Sequence, residues 1–353
     1  MVEQNLEKYI VLIPNAIDPY GYEIVNILAY PNGFTYRFRF DQQWVHNKVQ
    51  HNIPNLINKQ GYIVLRDRDS ALLYPIRKCT IKRADRIGIT YYFEYELGDI
   101  IDYDSQENLR INQIKKFNEE FTASHAKDIS NKAGEDMTPL CLLSNYEPAI
   151  QNQSSSLEER EFEQWGNVIE AIKDIKLYED VEFIKLVDIL SKKPKFLGSY
   201  IKSEKFKRFI KTGPDKASVQ NNSFIFKENL DYEIRVYQYI PNRKKESVTR
   251  DIKMVVDDKY ISPIRGQQRA VGKYDVITFL LRTNPHSGGR RSFIDIEHVT
   301  KAEAAPSIEP KIYFPVFIRK SRKKSLLFFC ATVLLFLAYN LAHYLSHFVH
   351  LEP

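Results

Sequence analysis

Few residues in this chain are spaced for chemistry. His46 and His51 stand five apart, near Trp44 and Asp41, yet no cysteine or further carboxylate falls at metal-ligand spacing around them. Asp67 and Asp69 could offer oxygen to a cation, but they sit in the charged turn Arg66-Asp67-Arg68-Asp69, where aspartate serves the backbone. The run His286-Ser287-Gly288-Gly289-Arg290-Arg291 could present backbone N–H groups to an anion, and reads equally as a basic hairpin loop. There is no G-x-x-x-x-G-K-[ST], G-x-G-x-x-G, G-x-S-x-G or H-E-x-x-H. The reading leans away from an enzyme and assigns no catalytic residue, metal or cofactor.

Cationic residues are the next chemical signal. Between residues 192 and 216 the chain carries Lys195, Lys202, Lys205, Lys207, Arg208 and Lys211, interleaved with Phe196, Tyr200, Phe206 and Phe209. This pattern suits an anionic lipid surface, nucleic-acid phosphates with stacked bases, or a solvated connector. Arg37 and Arg39 project from one face of a strand, with Arg77, Lys78, Lys82, Arg83 and Arg86 on neighbouring segments, and a basic sheet face of this kind could hold a nucleic-acid strand.

The third signal is C-terminal. Twenty residues from Leu326 to Leu345 are largely apolar, enough for about 30 Å of helix, the hydrocarbon thickness of a bilayer. Leu326, Leu327, Phe328, Phe329, Val333, Leu334, Leu335, Phe336 and Leu337 form its apolar body. Arg319, Lys320, Arg322, Lys323 and Lys324 precede it and favour the cytoplasmic side. A buried or interfacial helix is the competing reading. Asn340, His343, His347 and His350 recur at steps of three and four and fall on one side of that helix. They suit a self-association seam or pore lining, or a segment emerging among headgroups.

The elements that must position these groups are mostly strands. The 353 residues are 43% apolar and 27% charged, with 22 Tyr and 21 Phe against 13 Gly, as expected of packed β structure. The net charge of +6 is mild, and three dispersed cysteines make no disulfide framework and fit a reducing compartment. Met1 to Lys8 is polar and lacks the pattern of a signal peptide. The Lys-, Asn-, Ile- and Tyr-rich composition has a bacterial character.

Residues 1–104 predict a β-sheet or small barrel. Tyr9–Ile13, Phe34–Phe40, Tyr62–Leu65 and Ile87–Leu97 are its strands, the last burying Ile87, Ile89, Tyr91, Phe93, Tyr95 and Leu97 on one face. Residues 105–221 predict a helical and linker region. It holds an amphipathic helix at Leu109–Phe121, the linker Gln151–Ser156, and a helical hairpin. The first helix of that hairpin carries Phe162, Trp165, Ile169 and Ile172, and the second, at about Glu179–Leu190, carries Val181, Ile184, Val187 and Leu190. Residues 222–318 predict an immunoglobulin-like β-sandwich from Phe224–Phe226, Leu230–Ile240, Ile252–Val256, Tyr274–Thr283, Phe293–Ile296 and Ile312–Ile318. Residues 319–353 are the basic flank and transmembrane anchor.

The class expected is α+β, mainly β. The expected function is a tail-anchored, single-pass membrane protein whose cytoplasmic bulk binds or scaffolds a protein partner, with membrane lipid as a second partner. Two other readings stay open: a membrane-disrupting effector of a bacterial defence type that clusters as a homo-oligomer through its C-terminal helix, and a membrane-tethered nucleic-acid-binding protein.

Overall fold

In the computed structural model the described residues are 9–14, 22–129, 140–143, 157–178, 181–192, 215–220, 222–241, 251–269, 274–285, 289–299, 311–319, 332–341 and 343. They are mainly β, with few helices and three sheets.

The N-terminal elements are β1 (Tyr9–Leu12), α1 (Tyr22–Ala29), β2 (Thr35–Asp41), α2 (Asn47–Gln50), β3 (Gln60–Arg66), β4 (Leu73–Ile87), β5 (Thr90–Ile100), α3 (Glu107–Ile129) and β6 (Leu140–Leu143). The six strands form one sheet in the order β2-β5-β4-β3-β1-β6. Among the described residues the sheet is open, with β2 at one end, and is not closed into a barrel. It is antiparallel except where β1 runs parallel to β3, with Ile10 beside Gly61. A Cβ at Gly61 would lie 2.4 Å from Ile10 Cγ2 and 2.6 Å from the Ile10 carbonyl oxygen, so only glycine lets these two backbones approach.

The alternation read at β2 and β5 holds: Phe38, Phe40, Tyr91, Phe93, Tyr95 and Leu97 are buried. It does not extend to the hairpin tip. Ile87 and Ile89 are each 69% exposed, because they flank the turn at Gly88 beyond the core that the face covers. The predicted Leu109–Phe121 helix lies within α3. Its packing stripe is Ile114, Phe117 and Phe121, while Leu109 and Ile111 point to solvent.

The later elements are α4 (Leu157–Ile172), β7 (Phe183–Lys192), β8 (Asp215–Lys216), β9 (Ser218–Gln220), β10 (Ser223–Lys227), β11 (Asp231–Tyr239), β12 (Asp251–Val256), β13 (Ile261–Arg265), β14 (Gln267–Arg269), β15 (Tyr274–Thr283), β16 (Arg290–Val299) and β17 (Lys311–Arg319). Two sheets face each other, β14-β12-β16-β17-β10-β9 and β13-β15-β11-β7-β8. Phe226 of the first stacks on Tyr232 of the second at 4.1 Å between ring centroids. The period-two pattern supplies the filling: Ile252, Met254, Ile294, Ile296, Ile312, Phe314, Val316 and Ile318 from one sheet, Ile234, Val236, Ile277, Phe279 and Leu281 from the other.

The predicted helical hairpin is corrected. Its first half is α4, with Trp165, Ile169 and Ile172 fully buried. Its second half is the strand β7, which pairs antiparallel with β11 along its whole length and so belongs to the second sandwich sheet. Phe183, Ile184, Lys185 and Leu186 are buried in succession, because β7 is covered on both faces. Burial on both faces removes the period-two alternation, and the three-residue steps Val181, Ile184, Val187 and Leu190 that remained imitated a helix.

α4 lies against β4 and β5, and its Phe162 and Trp165 meet Tyr237 and Tyr239 of β11. Together with α1, which touches β7 and β17, it fills the junction between the N-terminal sheet and the sandwich.

The C-terminal helix α5 covers residues 332–341, ten residues and about 15 Å. It is too short and not apolar enough to span a membrane, and among the described residues no helix is. The remainder of Leu326–Leu345, apart from His343, lies outside the described residues.

Candidate functional site: a cleft between two sheet edges

The cleft is built from Arg77 outward. This β4 side chain is fully buried. Its Nε donates to the Gly98 carbonyl at 2.8 Å, Nη1 to the carbonyls of Ile27 at 2.5 Å and Tyr30 at 2.7 Å, and Nη2 to Asn32 Oδ1 at 2.7 Å. The end of a helix leaves its last carbonyls without intrahelical donors, and its dipole favours a cation there. A guanidinium is the side chain that satisfies several such carbonyls at once. Burial pulls Arg77 down to about 10, with Glu161 and Asp99 opposing it. Asn32 passes the link on, donating to Asp99 at 2.7 Å.

Arg77 thereby fixes the turn Pro31-Asn32-Gly33, where Gly33 takes a φ of +82°, and presents Tyr30 and Phe34 to the sandwich. Tyr30 stacks on Phe34 at 5.2 Å and meets Phe314 edge-on at 5.6 Å, and Phe34 lies 5.4 Å from Phe224. The Tyr30 hydroxyl donates to the Tyr313 carbonyl at 2.9 Å, and burial pushes its ionisation up to about 12. At the far side Asn222, in a turn with φ +57°, accepts a hydrogen bond from the Thr35 N–H at 2.7 Å.

These contacts leave a cleft of about 1030 Å³ between β2 and the β9–β10–β17 side of the sandwich, lined among others by Glu23, Tyr36, Arg37, Glu94, Glu96, Val219, Gln220 and Tyr313. The size and the position at a junction suit a ligand site. Tyr36 donates to the Glu23 carboxylate in a short hydrogen bond, and burial, reinforced by that carboxylate, holds the phenol far above its usual range. Arg37 pairs with Glu94 across the strands at 2.9 Å, and Lys82 with Glu96 at 3.2 Å. The walls therefore offer carboxylates, amides and tyrosine rings. Cys79 is buried with its thiol pushed up by burial, and it does not line the cleft.

A second polar group lies beneath the junction. Lys185 of β7 has no exposed surface and pairs with Glu161 of α4 at 3.0 Å. Burial, and then Arg77, pull it down to about 8, with Glu161 opposing.

The sequence-predicted residues fall as follows. Of the basic sheet face, Arg77 is internal, while Arg37, Lys82 and Arg83 lie on the surface and pair with Glu94, Glu96 and Asp85. Asp67 closes its own turn, accepting from the N–H groups of Asp69 and Ser70. His51 hydrogen-bonds the Asn47 carbonyl at 2.7 Å, and among the described residues no cluster of His, Cys, Asp and Glu could hold a metal.

Val333, Leu334, Leu335, Phe336 and Leu337 are all exposed on α5. Asn340 donates to the Phe336 carbonyl of its own helix at 2.7 Å, and the His343 ring lies 6.4 Å from that of Tyr339. Arg319 ends β17 and hydrogen-bonds Gln220. The other flank and anchor residues (Lys320, Arg322, Lys323, Lys324, Leu326, Leu327, Phe328 and Phe329), the stripe residues His347 and His350, and the basic residues Lys195, Lys202, Lys205, Lys207, Arg208 and Lys211 lie outside the described residues.

The cleft residues Glu23, Tyr30 and Asn222 carried no sequence signal of their own. The Pro31-Asn32-Gly33 turn and the strands Phe34–Phe40, Ile87–Leu97 and Ile312–Ile318 were legible as elements, but nothing in the sequence says that they meet.

No family model matches the chain, and no curated protein does. Among solved structures, the chain is similar over 28% of its length to the periplasmic chaperone SfaE, with 7% identity and a TM-score of 0.21. The matched part spans 53%, about half, of that chain.

Proposed function

We propose that this chain is a membrane-tethered binding protein, held by its C-terminal segment with the β-rich bulk on the cytoplasmic side, and that the cleft beside β2 receives its protein partner. The observation that carries the tether is α5. Every described residue from 332 to 341 is exposed, Leu335 at 72% and Phe336 at 66%, so none of its apolar sides is packed on the protein. Side chains as apolar as Val333, Leu334, Leu335, Phe336, Leu337 and Leu341, left exposed together, favour an apolar surrounding. In the sequence α5 lies within the apolar stretch Leu326–Leu345, which has the length a bilayer asks for and follows the basic residues Arg319 to Lys324. The division at residues 104, 221 and 318 into sheet, helical region, sandwich and anchor belongs to this reading. Binding rather than catalysis is favoured by the cleft walls, whose carboxylates and phenols are paired with one another or with arginine and lysine.

The test is site-specific photocrosslinking of the full chain in cell membranes. A photoreactive residue replaces Val219, which lines the cleft, or Val276, which is exposed on β15. Protein adducts specific to position 219 are expected. The same adducts from both positions, or none from 219, would contradict the cleft reading.

A further inference from the structure

We propose that the outward edge of β2 takes up an extended, lysine- or arginine-bearing peptide as an added strand running through the cleft. This deepens the cleft reading and rests on it.

The hydrogen-bond parity of β2 is the first ground. Leu97 N–H donates to the Phe34 carbonyl at 2.8 Å, and Gln42 N–H donates to the Ile89 carbonyl at 2.7 Å. Even-numbered residues of β2 thus bond to β5, and in an antiparallel pair the intervening ones point away. Thr35 and Arg37 therefore present their backbone groups to the cleft. The protein shows what fits there, since the Thr35 N–H already takes the Asn222 side-chain oxygen at 2.7 Å in the place a strand carbonyl would occupy. Arg37 continues the edge with its side chain turned to Glu94 at 2.9 Å, leaving the backbone side uncovered by its own guanidinium.

The facing wall is the second ground. Among the described residues β9 ends its own sheet and pairs with β10 alone, and it is exposed along Ser218–Gln220. Two sheet edges bounding one cleft make a slot for an extended chain, the arrangement that strand addition exploits. Charge is the third ground. The carboxylates Glu23, Glu94 and Glu96 outnumber their cationic neighbours Arg37 and Lys82 by one, so a basic side chain complements the walls.

Fluorescence anisotropy on the detergent-solubilised full chain tests this, with three labelled eight-residue peptides of alternating lysine and threonine. One is unmodified, one is N-methylated at every lysine, and one at every threonine. An added strand bonds through one set of N–H groups only, so one methylated peptide should bind about tenfold more weakly than the other. Arg37→Pro removes only an outward N–H, which an edge strand tolerates. It should bind the unmodified peptide about tenfold more weakly than Arg37→Ala, with the two variants melting together. Equal affinity of both methylated peptides overturns strand addition and leaves the cleft as a peptide site. Absence of binding by all three overturns the proposal, while crosslinking at position 219 judges the cleft separately. If Arg37→Pro melts lower than Arg37→Ala, the methylated pair alone decides.

Discussion

Replacing Lys185 by methionine should stabilise the protein at neutral pH. The ammonium is fully buried, its partner Glu161 is 39% exposed, and Arg77 adds like charge. The folded protein holds Lys185 at about 8 against an ordinary 10.5, a difference of ~2.5 units or about 3 kcal/mol. The sign follows from proton binding. Below pH 8 both states are protonated and the folded state bears the full cost. Between about 8 and 10.5 the unfolded chain holds the proton and the folded one does not, so this group makes stability rise with pH. Methionine has similar length and no charge to bury, and it leaves Glu161 where water can reach it. The expected gain is about 1–3 kcal/mol at pH 7, shrinking by about 2 kcal/mol at pH 9.5. Denaturant unfolding followed by the fluorescence of Trp165, buried against Tyr237 and Tyr239, would read it. A loss of more than about 1 kcal/mol at pH 7, or a gain that does not shrink at pH 9.5, would refute the reasoning.

Arg77→Met should act in the opposite direction, because it strands the carbonyls of Ile27, Tyr30 and Gly98. A loss of about 3–5 kcal/mol is expected in the same assay, and a change under about 1 kcal/mol would mean those carbonyls find other donors. Gly61→Ala should cost about 1–3 kcal/mol by forcing β1 from β3, and hydrogen exchange should speed up at Val11 and Tyr62 and not in β15.

Strands with one face on a core were legible, because Phe38 and Phe40, or Ile234 and Val236, alternate with solvated neighbours in a way no helix produces. β7 was not, since burial on both faces erases the alternation. Arg77 read as a surface cation because what makes it internal is the end of α1, some fifty residues away in sequence. Ile87 and Ile89 continued an apolar pattern past the point where the core stops. The cleft was least legible of all: its walls come from residues as distant as Glu23 and Tyr313, and only the fold brings them together.

The central claim is the tether, and carbonate extraction of membranes from cells expressing the full chain, beside a version stopped after Lys320, tests it most directly. The account predicts that the full chain stays in the membrane pellet and the shortened one washes off. Release of both would contradict it and make residues 326–345 an interfacial or partner-binding segment.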